Sequence, residues 1–396
     1  MKKFRLFLGL AMIFLLAMNA FAGGSKTAAG GSAPVKIGMY ADLTAGSAQW
    51  GTDCEKGGKL KVKQINAAGG VLGRPVELIV YDCQQSPTEG VRAYTRLAQV
   101  DRVCVVNGTL QSNIALAVQP VSEQLKVPVV TRAMDERATT PAFNPDDPDR
   151  VIPPANYFFL TQPSAFQQAA AMASYAIYEL NMNSFAMLYT PANSYALYIA
   201  KGFEYYVKKA GKQMVGNFEF QMGDQDFRPQ LTRIRELNPD GLLITNYIQD
   251  NTNAVKQSRE LGVRSRFLGN NSWYKPMDET AGADADGAYF PNNFDFDNPR
   301  FKAFIEAYRA EYREDPRLHS FSGYDDVGLM IDAIARAGTD DPEKVQQALK
   351  NTKGYKAVVA DITINPATHR PVDIPMAILR FVGARIETVL AEYYAR

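Results

Sequence analysis

The strongest constraint on this chain is an alternation that runs through it twice. From Val35 onward, a short apolar run gives way to a polar turn, a helical stretch and another apolar run. The first series has runs at 35–40, 76–81, 103–106 and 127–130, and the second at 185–189, 214–220, 241–245 and 266–269. Near-continuous apolar strands separated by helices predict parallel sheets covered on both faces. Ser86-Pro87-Thr88-Glu89 combines an N-cap, a first-turn proline and a capping-box glutamate. Ser164 with Gln167 opens another helix, and Gly69-Gly70 closes an earlier one. Further helices are expected at 195–210, 227–237, 252–261, 299–314 and 324–337, followed by a β-rich tail. A proline-rich loop at 140–154 separates the two series. The doubled pattern predicts two similar α/β lobes, and 396 residues suit two domains of ordinary size.

The first 22 residues have the make-up of a cleavable secretory signal: Lys2, Lys3 and Arg5, an apolar stretch at 6–18, then Ala20-Phe21-Ala22. That stretch is shorter than the roughly 20 residues that span a bilayer. A Gly/Ala/Ser tether at 23–34 follows, and the expected location is soluble, outside the cytoplasm. Export makes disulfides admissible. Cys104 lies in an apolar strand and reads as a buried thiol, whereas Cys54 and Cys83 fall at one edge of the predicted sheet and are expected to pair.

Lys and Arg number 43 against 42 Asp and Glu, so the formal charge of +1 argues against a nucleic-acid partner. The two histidines, His319 and His369, are too few and too far apart in sequence for a histidine metal site or triad. No nucleophile elbow, phosphate loop or dinucleotide fingerprint is present, so neither a cofactor nor a metal is expected. An exported hydrolase would have to rest on carboxylates such as Asp135 and Asp250 meeting across a cleft.

In open parallel sheets, ligands bind beyond the carboxyl ends of the strands. Those ends are polar and aromatic here. The first lobe offers Trp50 and Gly51, then Gln111, Ser112 and Asn113, then Arg132, Ala133 and Asp135. The second offers Asn193 to Tyr195, Tyr247 with Asp250, and Asn271 with Trp273. Ser112, Asn193 and Ser194 also suit helix caps, and Asp135-Glu136-Arg137 suits an exposed charge cluster. Tyr324, heading a helix before Asp325-Asp326, suits either the pocket or packing.

Val35-Lys-Ile-Gly, Gly46-Ser-Ala-Gln-Trp50-Gly51 and Ile65-Asn-Ala-Ala-Gly-Gly-Val-Leu-Gly-Arg-Pro75, with Tyr81-Asp82 and Pro87, resemble the branched-chain amino-acid (Leu/Ile/Val) binding proteins. These are type I periplasmic solute-binding proteins that feed ABC importers. The resemblance implies two Rossmann-like lobes joined by three crossovers and closing on ligand by hinge motion, with a membrane permease as partner and a monomeric chain. It implies an N-terminal lobe of 35–161 and 290–365 and a C-terminal lobe of 162–289 and 366–396.

Among the family's ligand positions, Trp50 matches the covering aromatic residue, and Tyr195 and Tyr247 match tyrosines lining the pocket. The carboxylate-binding serine falls at Gln111, beside Ser112; the carboxylate-binding threonine falls at Asp135, and the ammonium-binding glutamate at Asn271. An ionised Asp135 repels a carboxylate, and Asn271 carries no charge for an ammonium. Two readings follow. Asp135 takes the ammonium, while Arg132, Gln111 and the helix N-terminus at Ser112 hold the carboxylate of a reoriented amino acid. Otherwise the ligand is an amide, a cation or an aromatic compound stacked on Trp50, Tyr195 and Tyr247. A sensory role beside a membrane receptor is the alternative to import.

Overall fold

The first lobe is a five-stranded parallel sheet in the order β2-β1-β3-β4-β5. Its strands are β1 (Val35–Ala41), β2 (Val76–Asp82), β3 (Val106–Asn107), β4 (Val129–Thr131) and β5 (Phe158–Leu160). The computed structural model describes residues 33–44, 46–292, 294, 298–372 and 374–396. The expected signal at 1–22 and all but the last two residues of the expected tether at 23–34 lie outside the described residues.

Helices α1 (Ala48–Ala67), α2 (Pro87–Arg96) and α3 (Ser112–Leu125) connect these strands. The Ser86 hydroxyl accepts the Glu89 N–H at 3.4 Å, as the capping sequence predicts. One face of the sheet packs on α2 and α3 through Tyr94, Leu97, Ile114 and Val118. The other face packs on α1 and on two late helices, α10 (Leu318–Ala337) and α11 (Pro342–Lys350), through Val62, Val327, Met330 and Leu349.

The chain then passes into a second sheet, ordered β16-β15-β10-β9-β8-β6-β7. Strands β6 (Ser184–Tyr189), β7 (Gln213–Glu219), β8 (Gly241–Thr245), β9 (Arg266–Leu268) and β10 (Tyr289–Asn292) are parallel. The tail strands β15 (Met376–Val382) and β16 (Arg385–Tyr393) join them antiparallel. Helices α4 (Ala165–Tyr178) and α5 (Ser194–Lys209) cover one face. Helices α6 (Arg228–Leu237), α7 (Ile248–Glu260) and α8 (Met277–Ala281) cover the other. Ser164 and Gln167 close a full capping box on α4. After β10 the chain runs through α9 (Lys302–Tyr312) into α10 and α11, then through the two-residue strands β11 (Tyr355–Lys356), β12 (Asp361–Ile362), β13 (Ile364–Asn365) and β14 (Arg370–Pro371), and returns to β15. Three passages between the lobes result. This is the doubly wound, two-lobed α/β architecture that the alternation predicts.

Both sheets place a switch in strand order one strand in from an edge. In the first, β1 has β2 on one side and β3 on the other; in the second, β6 stands between β7 and β8. The loops leaving β1 and β3, and those leaving β6 and β8, therefore diverge and leave a crevice.

Helices α1 and α10 cross at very close range. A β-carbon on Gly57 would stand 1.9 Å from the Ser320 carbonyl oxygen, and one on Gly323 would stand 1.9 Å from that of Cys54. Glycine alone permits this approach.

The expected Cys54–Cys83 disulfide is corrected by the structure, which has both as buried free thiols. Cys54 lies in the α1–α10 contact, whereas the Cys83 thiol donates to Asp42 Oδ1 at 3.1 Å. The two side chains turn to different neighbours. Cys104 is a buried thiol donating to the Lys36 carbonyl at 3.3 Å, as expected.

Candidate ligand-binding cleft

A cavity of about 940 Å³ lies between the lobes, bounded by the loops at both switch points. Trp50 in the first turn of α1, Ser112 at the start of α3, and Arg132 after β4 contribute from the first lobe. Tyr195 in the first turn of α5, Tyr247 after β8, and Asn271 after β9 contribute from the second. Six of the ten expected pocket residues are thus brought to one cavity.

The rings form a connected wall across the cleft. Trp50 meets Tyr247 edge-on at 5.6 Å, and Tyr247 lies nearly parallel to Tyr195 at 6.4 Å. The Asn193 side chain accepts the Tyr195 N–H at 3.2 Å and so caps α5, while Tyr195 Oη donates to Asn271 Oδ1. Burial raises both tyrosine pKa values, Tyr247 to about 12, so these phenols stay neutral.

Arg132 is the buried cation of the site, 4% exposed. Its Nε donates to Asp326 on α10 at 3.1 and 3.2 Å, and Asp325 stands 3.9 Å from Nη2. Asp326 also accepts from Thr161 Oγ1 at 2.8 Å and Asn107 Nδ2 at 3.2 Å. Asp325 accepts the N–H groups of Val358 and Val359 at 2.7 and 3.0 Å. Among the described residues neither terminal amino group of Arg132 makes a hydrogen bond. The guanidinium is therefore held along its Nε–Nη2 edge, and Nη1 has no partner among the described residues. Burial raises the Asp325 carboxyl to about 6, against the pull of Arg132 and those two N–H groups.

His319 completes the first-lobe wall, and sequence reasoning missed it. Its ring lies 5.2 Å from Trp50, and its Nδ1 is buried without a partner among the described residues. Burial first, and the Arg132 cation second, push its pKa down to about 3, so the imidazole is neutral. The expected helix at 324–337 begins at Leu318, which brings the unforeseen His319 and Ser322 to the cavity.

Four expected pocket residues do not line this cavity. Asp135 is fully buried and held by Arg137, whose Nη2 stands 2.6 Å from Oδ2; its Oδ1 caps the short turn Glu136–Ala138. Asp135 and Glu136 are thus not an exposed charge cluster. Gln111 faces backward, donating from Nε2 to Asp42 and to Ser47 Oγ at 2.6 Å. Ala133 is buried among first-lobe core residues such as Val106 and Val129. Tyr324 packs outside the cleft, with Oη 2.6 Å from Gln64 Oε1 and Lys61 4.2 Å over its ring. Asp250 accepts from Asn246 and is also absent from the cavity, so Asp135 and Asp250 do not form a facing acid pair. Gln111 occupies the N-cap position of α3 without capping it, which leaves the first turn uncapped where Ser112 lines the cavity. Among the described residues no cluster of three or more His, Cys, Asp or Glu is arranged to hold a metal.

A model of the periplasmic binding protein family matches residues 34–385. The chain belongs to that family. The binding protein is 27% identical over 355 residues to Leu/Ile/Val-binding protein homolog 3 of Brucella melitensis, covering 88% of this chain and 92% of the relative. Among solved structures, a leucine-binding protein from Thermotoga maritima is 25% identical, with a TM-score of 0.76 over 89% of this chain and 97% of the other. A solute-binding protein of an ABC transporter from Rhodopseudomonas palustris, solved with 3,4-dihydroxybenzoic acid, shares the fold at 21% identity. Its TM-score is 0.76, over 91% of this chain and 98% of the other. This binding protein is accordingly of type I, similar to the branched-chain amino-acid binders, and its relatives bind solutes for ABC transporters. Among its described residues no helix is long and apolar enough to cross a membrane.

Proposed function

We propose that this protein is exported to the periplasm through residues 1–22, captures a small organic carboxylate between its lobes, closes by hinge motion and delivers it to an ABC importer. Arg132 carries the reading, with its guanidinium buried, anchored through Nε, ion-paired through Nη2 and without a partner at Nη1 among the described residues. A pre-positioned guanidinium fork suits a carboxylate through two parallel N–H bonds. The uncapped start of α3 favours negative charge on the same side. Trp50, His319, Tyr195 and Tyr247 supply flat walls for an apolar or aromatic body. Leucine and 3,4-dihydroxybenzoic acid, the ligands named for two structural relatives, both carry a carboxylate.

Neither the carboxylates that hold Arg132 nor the positions expected to meet the ligand's charges leave an anion for an α-ammonium. Asp135 is paired with Arg137, Asn271 is uncharged, and Asp325 and Asp326 are occupied behind the guanidinium. This favours acids without an α-amino group. Differential affinity for the closed form is what drives closure.

Calorimetric titration with benzoate, leucine, 3,4-dihydroxybenzoate and benzamide tests the reading. At least one acid should bind, benzamide should bind at least roughly tenfold more weakly than benzoate, and Arg132→Gln should abolish the difference. Equal affinity for benzamide and benzoate would overturn the carboxylate assignment. Small-angle scattering should show contraction with the acid that binds. Deletion of the gene should abolish cellular uptake of that acid, and a copy lacking residues 1–22 should not restore it.

A further inference from the structure

Asp53 lies one helical turn beyond Trp50 on α1, lines the same cavity and is 1% exposed. Its Oδ1 accepts from Gln49 Nε2 at 2.9 Å and from Arg317 Nη1 at 3.3 Å. Its Oδ2 is buried and has no hydrogen-bond partner among the described residues. A buried carboxylate oxygen left unsatisfied is costly, and native structures rarely keep one without a use. Burial raises this carboxyl's pKa, while Gln49 and Arg317 oppose the rise. The Arg317 side chain is 58% exposed, so solvent weakens its hold on the Asp53 charge. One acceptor oxygen therefore stands unsatisfied beside the cavity, in a wall that also carries the Trp50 and His319 rings.

Asp53 and Arg132 lie at different places along that wall. Arg132 acts electrostatically on His319, the His319 ring lies 5.2 Å from Trp50, and Trp50 precedes Asp53 by a turn of α1. Asp53 and Arg132 are held by different partners, Arg317 for the first and Asp325 with Asp326 for the second, and the Trp50 and His319 rings line the cavity with them. A benzene ring or a short methylene chain between a ligand's two charges is the spacer such ring-lined walls suit.

We propose that Asp53 is the cation-binding end of a two-ended site, receiving an ammonium group on a ligand whose carboxylate rests on Arg132. The ligand class is an amino acid with its amine remote from the carboxylate, its flat or unbranched spacer lying along Trp50 and His319. This rests on the carboxylate role proposed for Arg132. It adds a specificity-determining residue from α1, distinct from Asn271 and Asp135.

Two probes, 4-(aminomethyl)benzoate and 4-methylbenzoate, which lacks the amine, decide the matter by calorimetry on the exported chain. The wild-type protein should bind the charged probe at least tenfold more tightly. Asp53→Asn, which can keep the contacts to Gln49 and Arg317, should erase that preference and leave 4-methylbenzoate within twofold of wild type. A wild-type protein that binds 4-methylbenzoate as tightly, or an Asp53→Asn protein that keeps the preference, would overturn the proposal. Binding of 4-methylbenzoate that depends on Arg132, without any preference for the amine, sinks the Asp53 assignment alone. Failure of both probes to bind sinks the Arg132 reading with it. The wild-type comparison stands even if Asp53→Asn fails to fold.

Discussion

Gly323 packs against Cys54 so closely that a β-carbon would stand 1.9 Å from the Cys54 carbonyl oxygen, far inside van der Waals contact. This pair fixes how α10 crosses α1, and with it the spacing of His319 against Trp50. Gly323→Ala must push two backbones apart. It should cost on the order of 2–4 kcal/mol and weaken ligand binding as well. Thermal unfolding checks this, and an unchanged Tm would show that the crossing is not tight.

Trp50 and Tyr195 stand on opposite sides of the cleft and line the cavity together. Trp50→Ala and Tyr195→Ala should each weaken ligand binding roughly tenfold or more, with both lobes still folded. Wild-type affinity in both variants, measured on a ligand that binds, would move the site elsewhere.

Histidine protonation gives a signed test. His319 is held down to about 3, by burial and then Arg132, and His369 to about 4, mainly by burial under Phe159, whose ring lies 4.3 Å away. Unfolded histidine takes up its proton near pH 6.5. The stability tied to the two neutral rings is therefore complete above about pH 6.5 and lost as pH falls through about 4 and 3. The chain has two histidines, so both ring signals can be followed by NMR. Neither should titrate between pH 7.5 and 5.5; a midpoint above 6 for either contradicts the assignment.

Glu136 acts with the opposite sign. It is fully buried, its Oε1 accepts the Phe166 N–H at 2.8 Å, and burial raises its carboxyl to about 7 against the pull of Arg370. Its contribution is present below about pH 4.5 and lost as pH rises through about 7. Relative to wild type, Glu136→Gln should gain about 3 kcal/mol between pH 4.5 and 8. Denaturant titrations at the two pH values measure it, and parallel behaviour of the two proteins would refute it.

Asp135→Thr restores the residue that the family resemblance places at this position. Because Asp135 is bound by Arg137 and does not reach the cavity, the change should lower stability by about 1–3 kcal/mol and leave ligand selectivity unaltered. A gain in leucine affinity would put the Asp135 charge back in the pocket.

The lobes were legible because their strands are short apolar runs bounded by caps, as at Ser86 and Ser164. The rim residues followed from sheet topology, since Trp50, Ser112, Tyr195 and Tyr247 all follow switch-point strands. The start of α10 was not legible. Ser320-Phe321-Ser322-Gly323 has the composition of a turn, and only the close pass of Cys54 explains a glycine inside a helix there. His319 was lost with that turn, and Tyr324 was placed at a helix start it does not occupy. Arg132 stood out, yet its partner Asp326 lies 194 residues along the chain. For Asp135 the partner was only two residues away. Burial made that pair an internal one, and burial of a charged cluster is a tertiary property.

Two neighbouring carboxylates of α10 do different work. Asp326 anchors Arg132, while Asp325 takes the N–H groups of Val358 and Val359, on the stretch that leads back to the second lobe. In mechanical terms, one stiff rod is gripped at adjacent points by the arm that meets the cargo and by the strap that tethers the other jaw. The two grips are side chains of adjacent residues on that rod and share one rigid support.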